Sequence, residues 1–233
     1  MAPQGEVKVL GAWPSSFVMR PRIALNLKSV EYEFVEENLG NKSELLLKSN
    51  PVYKKIPVLI HGDKPVCESL VIVQYIDEVW KDSTLILPSD PYDRAIARFW
   101  AAYVDDKMFP TMRGIVAADE DETKAAAVAL LKEGLSLLEE ALVKMSKGKK
   151  FFGGDEIGYV DIAFGCHISW FKVTEIVSNV KLFDESATPH LVTWIHSFSS
   201  HPAVKDVMPE TDKLMKFVKN VVLPWMRAAA AAK

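Results

Sequence analysis

Apolar and polar residues alternate in short runs along the first third of the chain, and this pattern predicts strands with one buried face. The runs occupy residues 6–10, 31–35 and 55–60, and a shorter run at 65–67 follows the turn at 61–64. Because only a few turn residues separate the last two runs, they form a predicted β-hairpin.

Apolar residues at helical spacing follow the first strand and the hairpin. After the first strand, the spacing runs through Phe17, Arg20, Ile23, Ala24 and Leu27. Pro21 lies within this pattern and indicates either a kink or a first turn that tolerates the lost N–H donor. A second helix is predicted at residues 69–80. The order strand, helix, strand, a further segment, two strands and helix predicts a small α/β unit with a mixed sheet.

The pattern becomes almost entirely helical after a polar segment that follows Trp80. Asp90 is suited to an N-cap and Pro91 to the first position of a helix, so a linker ends there. The clearest buried stripe consists of Val128, Leu131, Leu135, Leu138, Leu142 and Met145. We therefore predict an α/β unit at residues 1–84, a linker at 85–91 and an all-helical unit at 92–233.

Composition narrows the function classes. The chain has 233 residues and a formal net charge of −3, which gives no electrostatic argument for binding nucleic acid or an anionic membrane. We see no signal peptide and no apolar run long enough to span a bilayer. Two cysteines far apart argue against a disulfide framework and favour a reducing, cytoplasmic setting. Five histidines form no known ligand pattern, so no metal site is predicted.

Hydroxyl groups at two predicted helix starts are candidates for chemistry. Ser15 and Ser16 lie where the first strand meets the first helix, and Ser69 follows Glu68 after the hairpin. Free backbone N–H groups and the positive end of a helix dipole stabilise an anion at such places. Simple helix capping is the alternative at both. A Ser-His-Asp hydrolase is excluded because there is no G-x-S-x-G elbow.

Taken together, these segments form an ordered set of motifs that resembles the plant tau class of glutathione transferases. The motifs are Trp13–Phe17, Asn41–Ser43, Lys54–Leu59, Glu68–Ile76, Leu87–Tyr92, Ala97–Trp100, Phe151–Gly154 and Gly158–Ala163. They occur in order over nearly the whole chain. The resemblance implies a thioredoxin-like N-terminal domain followed by an all-helical C-terminal domain, usually in a homodimer.

The resemblance also implies site residues. Ser15 takes the place of the catalytic serine, and Pro57 that of a cis-proline. The glutathione-binding positions are those of Lys42, Lys55, Ile56, Glu68 and Ser69. The family usually has proline after the catalytic serine, where this chain has Ser16. Relatives specialised for thiol exchange carry cysteine at the position of Ser15, so the serine argues against that chemistry.

The implied reaction joins the glutathione thiolate to a small apolar electrophile, with glutathione as co-substrate and no further cofactor. Detoxification is the implied role, and hydroperoxide reduction a side activity. Candidates for the electrophile pocket are Phe17, Met108, Met112, Trp170, Phe171 and Trp225, with core packing as the alternative for each. Candidates for pairing across a dimer interface are Asp77, Glu78, Arg94 and Arg98, with a solvated face as the alternative. A non-catalytic carrier of apolar ligands and a scaffold without a glutathione site remain as competing functions.

Overall fold

The N-terminal part of the chain forms a four-stranded mixed sheet with three helices. A computed structural model describes residues 5–81, 83–118 and 120–231. The strands are β1 Val7–Gly11, β2 Glu33–Glu36, β3 Val58–His61 and β4 Lys64–Cys67. The helices are α1 Ser16–Leu27, α2 Glu44–Ser49 and α3 Ser69–Val79. The sheet order is β2-β1-β3-β4, in which β1 is parallel to β2 and antiparallel to β3.

The central strands are buried on both faces because helices cover each side. Val9 of β1 lies opposite Leu59 of β3, and both pack with residues of α1 and α3. Leu10 and Val58 point to the other face, where Leu46 of α2 covers them. Side chains alternate between faces with a period of two, so a one-residue register shift would exchange the two sets and place each against the wrong helices.

Most of the rest of the described chain is helical. Its helices are α4 Pro91–Tyr103, α5 Phe109–Ala117, α6 Asp121–Ser146, α7 Tyr159–Gly165, α8 Ile168–Ser178, α9 Pro189–Ser200, α10 Pro202–Lys205, α11 Thr211–Phe217 and α12 Leu223–Ala231. A π-helical segment, Val104–Met108, joins α4 to α5, and another, Val218–Val222, joins α11 to α12. Within the described residues, no helix is both long and apolar enough to cross a membrane.

Several local predictions match the structure. Asp90 caps α4 by accepting hydrogen bonds from the backbone N–H groups of Tyr92 and Asp93, each at 2.9 Å. The central members of the predicted α6 stripe are buried, and its two end members partly so. Capping and periodicity are local properties, which is why they can be seen in the sequence.

The structure adds two features of the N-terminal unit that the sequence pattern leaves open. Of the two alternatives for Pro21, it excludes a first turn, because Pro21 lies inside α1, five residues after its first residue Ser16. It also shows the helix α2, which the pattern does not predict because its leucines are consecutive and show no periodicity. Leu46 alone among them is buried, and the Ser43 hydroxyl starts the helix by accepting the Leu46 N–H at 3.0 Å.

Asp77 is an internal anchor, so its assignment to a dimer interface was wrong. Its buried carboxylate accepts the backbone N–H groups of Ile86 and Leu87, both at 2.9 Å. Lys28, whose side chain is also buried, pairs with it at 2.8 Å and donates to the carbonyl of Thr84. The carboxylate thus fixes the segment between the two units to α3.

A second buried carboxylate, that of Asp161 in α7, organises an irregular loop of the helical unit. It accepts backbone N–H groups from Phe152, Gly153 and Gly158 and the indole N–H of Trp194, at 2.7 to 2.9 Å. Gly153 and Gly158 approach so closely that a Cβ on Gly153 would lie 2.7 Å from the Gly158 Cα. Burial raises the pKa of Asp161 to about 6, and the four donors act against this rise.

We expect Asp161→Asn to lower the free energy of unfolding by about 3 kcal/mol or more, because an amide N–H₂ would replace one acceptor oxygen among four N–H donors. Urea denaturation monitored by tryptophan fluorescence measures the change. Asp155→Asn is the matched control, since this exposed carboxylate of the same loop pairs with an exposed Lys149. Equal effects of the two substitutions would contradict the anchoring role.

Candidate active site between the two units

Ser15 is the N-cap of α1, but its side chain makes no capping hydrogen bond. Its carbonyl accepts the N–H groups of Val18 and Met19, and its own N–H donates to the carbonyl of Ala12 at 3.0 Å. The backbone is therefore fixed, while the half-buried hydroxyl faces a cavity. This position gives the hydroxyl the field of a helix N-terminus without committing it to the helix.

Trp170 of α8 fixes the serine loop from the other unit. Its indole N–H donates to the carbonyl of Pro14 at 2.8 Å. The residue before Ser15 is therefore held by the helical unit, and the cavity beside Ser15 has walls from both units.

The cavity has a volume of about 310 Å³. Its lining residues are Pro14, Ser15, Ser16, Phe17, Phe109, Met112, Arg113, Val116, Trp170, Val173, Thr174, Val218, Val222, Trp225 and Met226. Phe17 and Phe109 meet edge to face with ring centroids 5.0 Å apart, so an aromatic contact joins the walls of the two units. An apolar cavity with a few polar groups at one side is the usual form of a small-molecule site.

Four of the six residues predicted for the electrophile pocket line this cavity: Phe17, Met112, Trp170 and Trp225. Met108 and Phe171 do not. Met108 is 2% exposed and packs near Gly134 of α6, while Phe171 is 1% exposed and packs on Phe164 and Phe183. Because successive residues of a helix point about 100° apart, Phe171 faces the core when Trp170 faces the cavity.

A fully buried arginine, which sequence analysis did not assign to the site, lies behind the cavity. The guanidinium of Arg20 binds both carboxylate oxygens of Asp105, at 2.5 and 2.8 Å. It also donates to the Ser69 hydroxyl at 3.1 Å and to the Ala163 carbonyl at 2.7 Å. These contacts connect α1, the start of α3, the first π-helical segment and α7. In the sequence, Arg20 stands out as a charged residue among the apolar positions that form the buried stripe of α1.

The charge of Arg20 shapes its neighbours. Burial opposes ionisation of Asp105, but the hydrogen bonds and charge of Arg20, with a further contribution from His167, lower its pKa to about 2. Cys166 accepts the Arg20 Nε–H at 3.2 Å; burial opposes ionisation of its thiol, but Arg20 and His167 together lower the thiol pKa. His167 has Nε2 3.2 Å from Arg20 and packs its ring against Phe109 and Phe17. The network therefore extends to the two aromatic rings of the cavity wall.

The predicted glutathione lysines lie on two loops that are joined by hydrogen bonds. Lys42 donates from Nζ to the carbonyl of Lys54 at 2.9 Å, and the Asn50 amide donates to the carbonyl of Lys55 at 2.9 Å. Both lysines are exposed. The peptide bond between Ile56 and Pro57 is cis, as the resemblance implies, and it leads directly into β3.

Glu68 and Ser69 form the start of α3. Glu68 is exposed and has φ of 69°, in the left-handed region that side chains other than glycine rarely adopt. Such backbone strain is concentrated at ligand-binding positions. Ser69 is buried and held by Arg20, which lies four residues after Ser16 in α1. Through Arg20, the starts of α1 and α3 are held in a fixed relation.

Comparison with known protein families decides the identity. Residues 5–78 match the family model described as glutathione S-transferase, N-terminal domain, and residues 92–202 match the corresponding C-terminal domain. The chain belongs to the glutathione S-transferase family.

Individual relatives refine the class. The transferase is 60% identical to glutathione S-transferase U17 of Arabidopsis thaliana, over 93% of this chain and 96% of that protein. A tau class glutathione S-transferase from mango, Mangifera indica, is 64% identical, with a TM-score of 0.90 over 92% of this chain and 97% of that one. Rice GST1, solved in complex with glutathione, is 37% identical with a TM-score of 0.87, over 96% and 98% of the two chains.

These relatives confirm the predicted tau-class resemblance and the transferase fold. They support the enzyme over the non-catalytic carrier. The roles of Ser15, the lysines, Glu68 and Ser69 stay predictions, because none of the comparisons tests single residues.

We expect Asp105→Asn to lower the free energy of unfolding of this transferase by about 3–5 kcal/mol at pH 7, because it leaves the Arg20 cation buried without its counter-charge. The wild-type carboxylate has a folded pKa of about 2 against an ordinary value of 3.8. Its stabilisation is complete above about pH 4 and is lost as the pH falls through about 2.

Urea denaturation between pH 3 and pH 6 tests both statements. The wild type loses stability towards pH 3, and Asp105→Asn loses less because the titrating group is gone. Asp106→Asn, at the exposed neighbouring position, serves as the control and is expected to retain the wild-type slope. An unchanged slope in Asp105→Asn would contradict the assignment of the low pKa to this ion pair.

Proposed function

We propose that this transferase conjugates glutathione to small apolar electrophiles and that Ser15 donates its hydroxyl to the glutathione sulfur. The observation that carries this proposal is the position of Ser15. Its hydroxyl makes no capping bond, stands at a helix N-terminus and borders an apolar cavity. A sulfur bound there would have a hydrogen-bond donor on one side and space for an apolar partner on the other.

The physical effect of Ser15 is on the ionisation of the thiol. A free thiol has a pKa of about 8.5, so a few per cent is thiolate at neutral pH. A donated O–H and the helix dipole favour the charged form, and a decrease of about two pKa units would make most of the bound thiol reactive. The thiolate then attacks the electrophile directly, and the serine forms no covalent intermediate.

Charge complementarity supports the proposed glutathione contacts. The exposed cations of Lys42 and Lys55 suit the glycyl carboxylate. Ser69 and the start of α3 suit the glutamyl carboxylate, and Glu68 suits the glutamyl ammonium. The backbone of Ile56, held by the cis peptide bond at Pro57, is suited to pair with the cysteinyl backbone in the manner of an added strand.

The wider role follows from this chemistry as part of the same proposal. Conjugation detoxifies apolar electrophiles, and the same thiolate reduces organic hydroperoxides as a side activity.

A cytoplasmic setting is supported by two free cysteines, Cys67 and Cys166. The proposed division into residues 1–84, 85–91 and 92–233 assigns glutathione to the first unit and the electrophile mainly to the last.

A homodimer is the proposed assembly, formed through a continuous surface on α3 and α4. Arg98 of α4 donates to the Gln74 side chain of α3 at 2.7 and 3.0 Å, which joins the exposed faces of the two helices. Val71, Tyr92 and Phe99 are exposed on these helices by 51%, 72% and 58%. Glu78 is also exposed, whereas Arg94 donates to the carbonyl of Pro88 within the chain. Exposed apolar side chains on two helices that are joined in this way indicate a protein interface.

We expect Ser15→Ala to decrease kcat for glutathione-dependent conjugation of 1-chloro-2,4-dinitrobenzene by roughly ten- to a hundredfold and to raise the pKa of bound glutathione. Thiolate absorbance in the binary complex measures the pKa separately from turnover. Ser16→Ala is the matched control, because Ser16 lines the same cavity. Loss of activity in Ser16→Ala with retention in Ser15→Ala would move the thiolate donor to Ser16.

We expect Val71→Glu to convert the dimer into a monomer, since a carboxylate would be buried at the proposed interface. Light scattering should then report a mass of about 26.1 kDa in place of twice that value. Ile176→Glu on α8, at an exposed fraction of 56%, is the control and should leave the mass unchanged. A monomeric wild type would refute the proposed assembly.

A further inference from the structure

The charge on the wall of the cavity beside Ser15 is concentrated at one residue. Among the lining residues that the structure describes, Arg113 carries the only charge, and there is no carboxylate. The remaining polar members are Ser15, Ser16 and Thr174. Arg113 lies on α5 and is exposed, so its guanidinium is at the opening of the cavity and not in its interior.

The other described arginine side chains are held by groups of the protein itself. Arg20 binds Asp105, Arg22 donates to Tyr32, Arg94 donates to Pro88 and Arg98 donates to Gln74. The recorded contact of Arg113, within the part of the chain that the structure describes, is with an aromatic ring. Its guanidinium carbon is 5.9 Å from the centroid of Phe109. Its five N–H donors are therefore open to a ligand.

Phe109 connects Arg113 to the serine end of the cavity. The Phe109 ring meets His167 and the ring of Phe17, two residues after Ser15, and it also contacts Arg113. A ligand that reaches from the serine wall to the opening would pass over these rings and end at the guanidinium. The apolar part of such a ligand is buried, while a charged end stays in water, which avoids the cost of burying an anion.

We propose that the cavity selects apolar electrophiles that carry an anionic group, a carboxylate or a sulfonate, at the end away from the reacting carbon. Arg113 binds that group at the opening, and its planar guanidinium suits the paired oxygens of such anions. This inference rests on the proposed conjugation at Ser15 for its catalytic consequence, but the anion preference is also a property of binding alone.

A matched pair of electrophiles tests the catalytic consequence. 4-Chloro-3,5-dinitrobenzoate and 4-chloro-3,5-dinitrobenzotrifluoride differ at the position opposite the reacting carbon, where one has a carboxylate and the other a neutral group. In both, a C–S bond forms, the C–Cl bond breaks, chloride leaves with the bonding electrons and the thiol proton passes to solvent. Each kcat/KM is divided by the uncatalysed rate constant with glutathione.

We expect Arg113→Gln to lower the normalised kcat/KM for the benzoate by roughly three- to tenfold, which is the size of effect expected for an exposed charge-assisted contact. The normalised kcat/KM for the neutral compound should change by less than about twofold. Arg113→Lys, which keeps the charge but loses the planar pair of donors, should retain only part of the preference. Lys107→Gln, which removes an exposed cation outside the cavity lining, should change neither substrate. Equal effects of Arg113→Gln on both electrophiles, or an equal rise in KM for glutathione with both, would overturn the inference.

A second pair keeps this test separate from the conjugation proposal. 8-Anilinonaphthalene-1-sulfonate and N-phenyl-1-naphthylamine differ in the sulfonate, and fluorescence reports their binding without turnover. If neither chloroarene reacts, the conjugation proposal fails for these substrates, and the binding pair decides the anion preference. Weaker binding of the sulfonate alone in Arg113→Gln supports it, and unchanged binding of both compounds overturns it.

Discussion

The buried charge of Arg20 is the constraint on which the arrangement of the two units depends. A cation removed from water is tolerated only when its charge and its donors are satisfied, and the residues that satisfy Arg20 come from both units. The position of α3 relative to α1 is therefore not free, and neither is the position of the helical unit behind them. The proposed catalytic serine and the proposed glutathione contact at Ser69 are at the two helix starts that this network connects.

Buried carboxylates have the corresponding role for the irregular segments. Asp77 gathers backbone N–H groups of the linker, and Asp161 gathers those of the loop before α7. In each case a charge substitutes for the hydrogen bonds that regular structure would have supplied. The cavity has the opposite character. Its walls are mostly apolar side chains, so the few polar groups that line it, among them Ser15 at one end and Arg113 at the other, have a disproportionate influence on what can bind.

Properties that depend on neighbouring residues could be predicted from the sequence, and those that depend on long-range packing could not. The strands, the Asp90 cap and the α6 stripe follow from local pattern, and the ordered motifs identified the family. The consecutive leucines of α2 gave no periodicity to detect. Asp77 looked like a surface charge because its partners, Lys28 and two backbone groups of a segment without regular structure, are distant or invisible in the sequence pattern. Met108 and Phe171 have the chemistry of pocket residues, but only the rotation of their helices determines that they face the core.

The two π-helical segments border the cavity, because Phe109 and Met112 follow the first and Val218 and Val222 belong to the second. A π turn accommodates one additional residue compared with an α turn, with almost no net rotation of the helix that follows it. Deleting one residue from Val104–Met108 would therefore restore α-helical turns and leave the cavity face of α5 in place, whereas the same deletion within an α-helical turn would rotate the following residues by about 100°. The number of residues beside such a binding site can thus vary at a π-helical segment while the side chains that line the cavity keep their orientation.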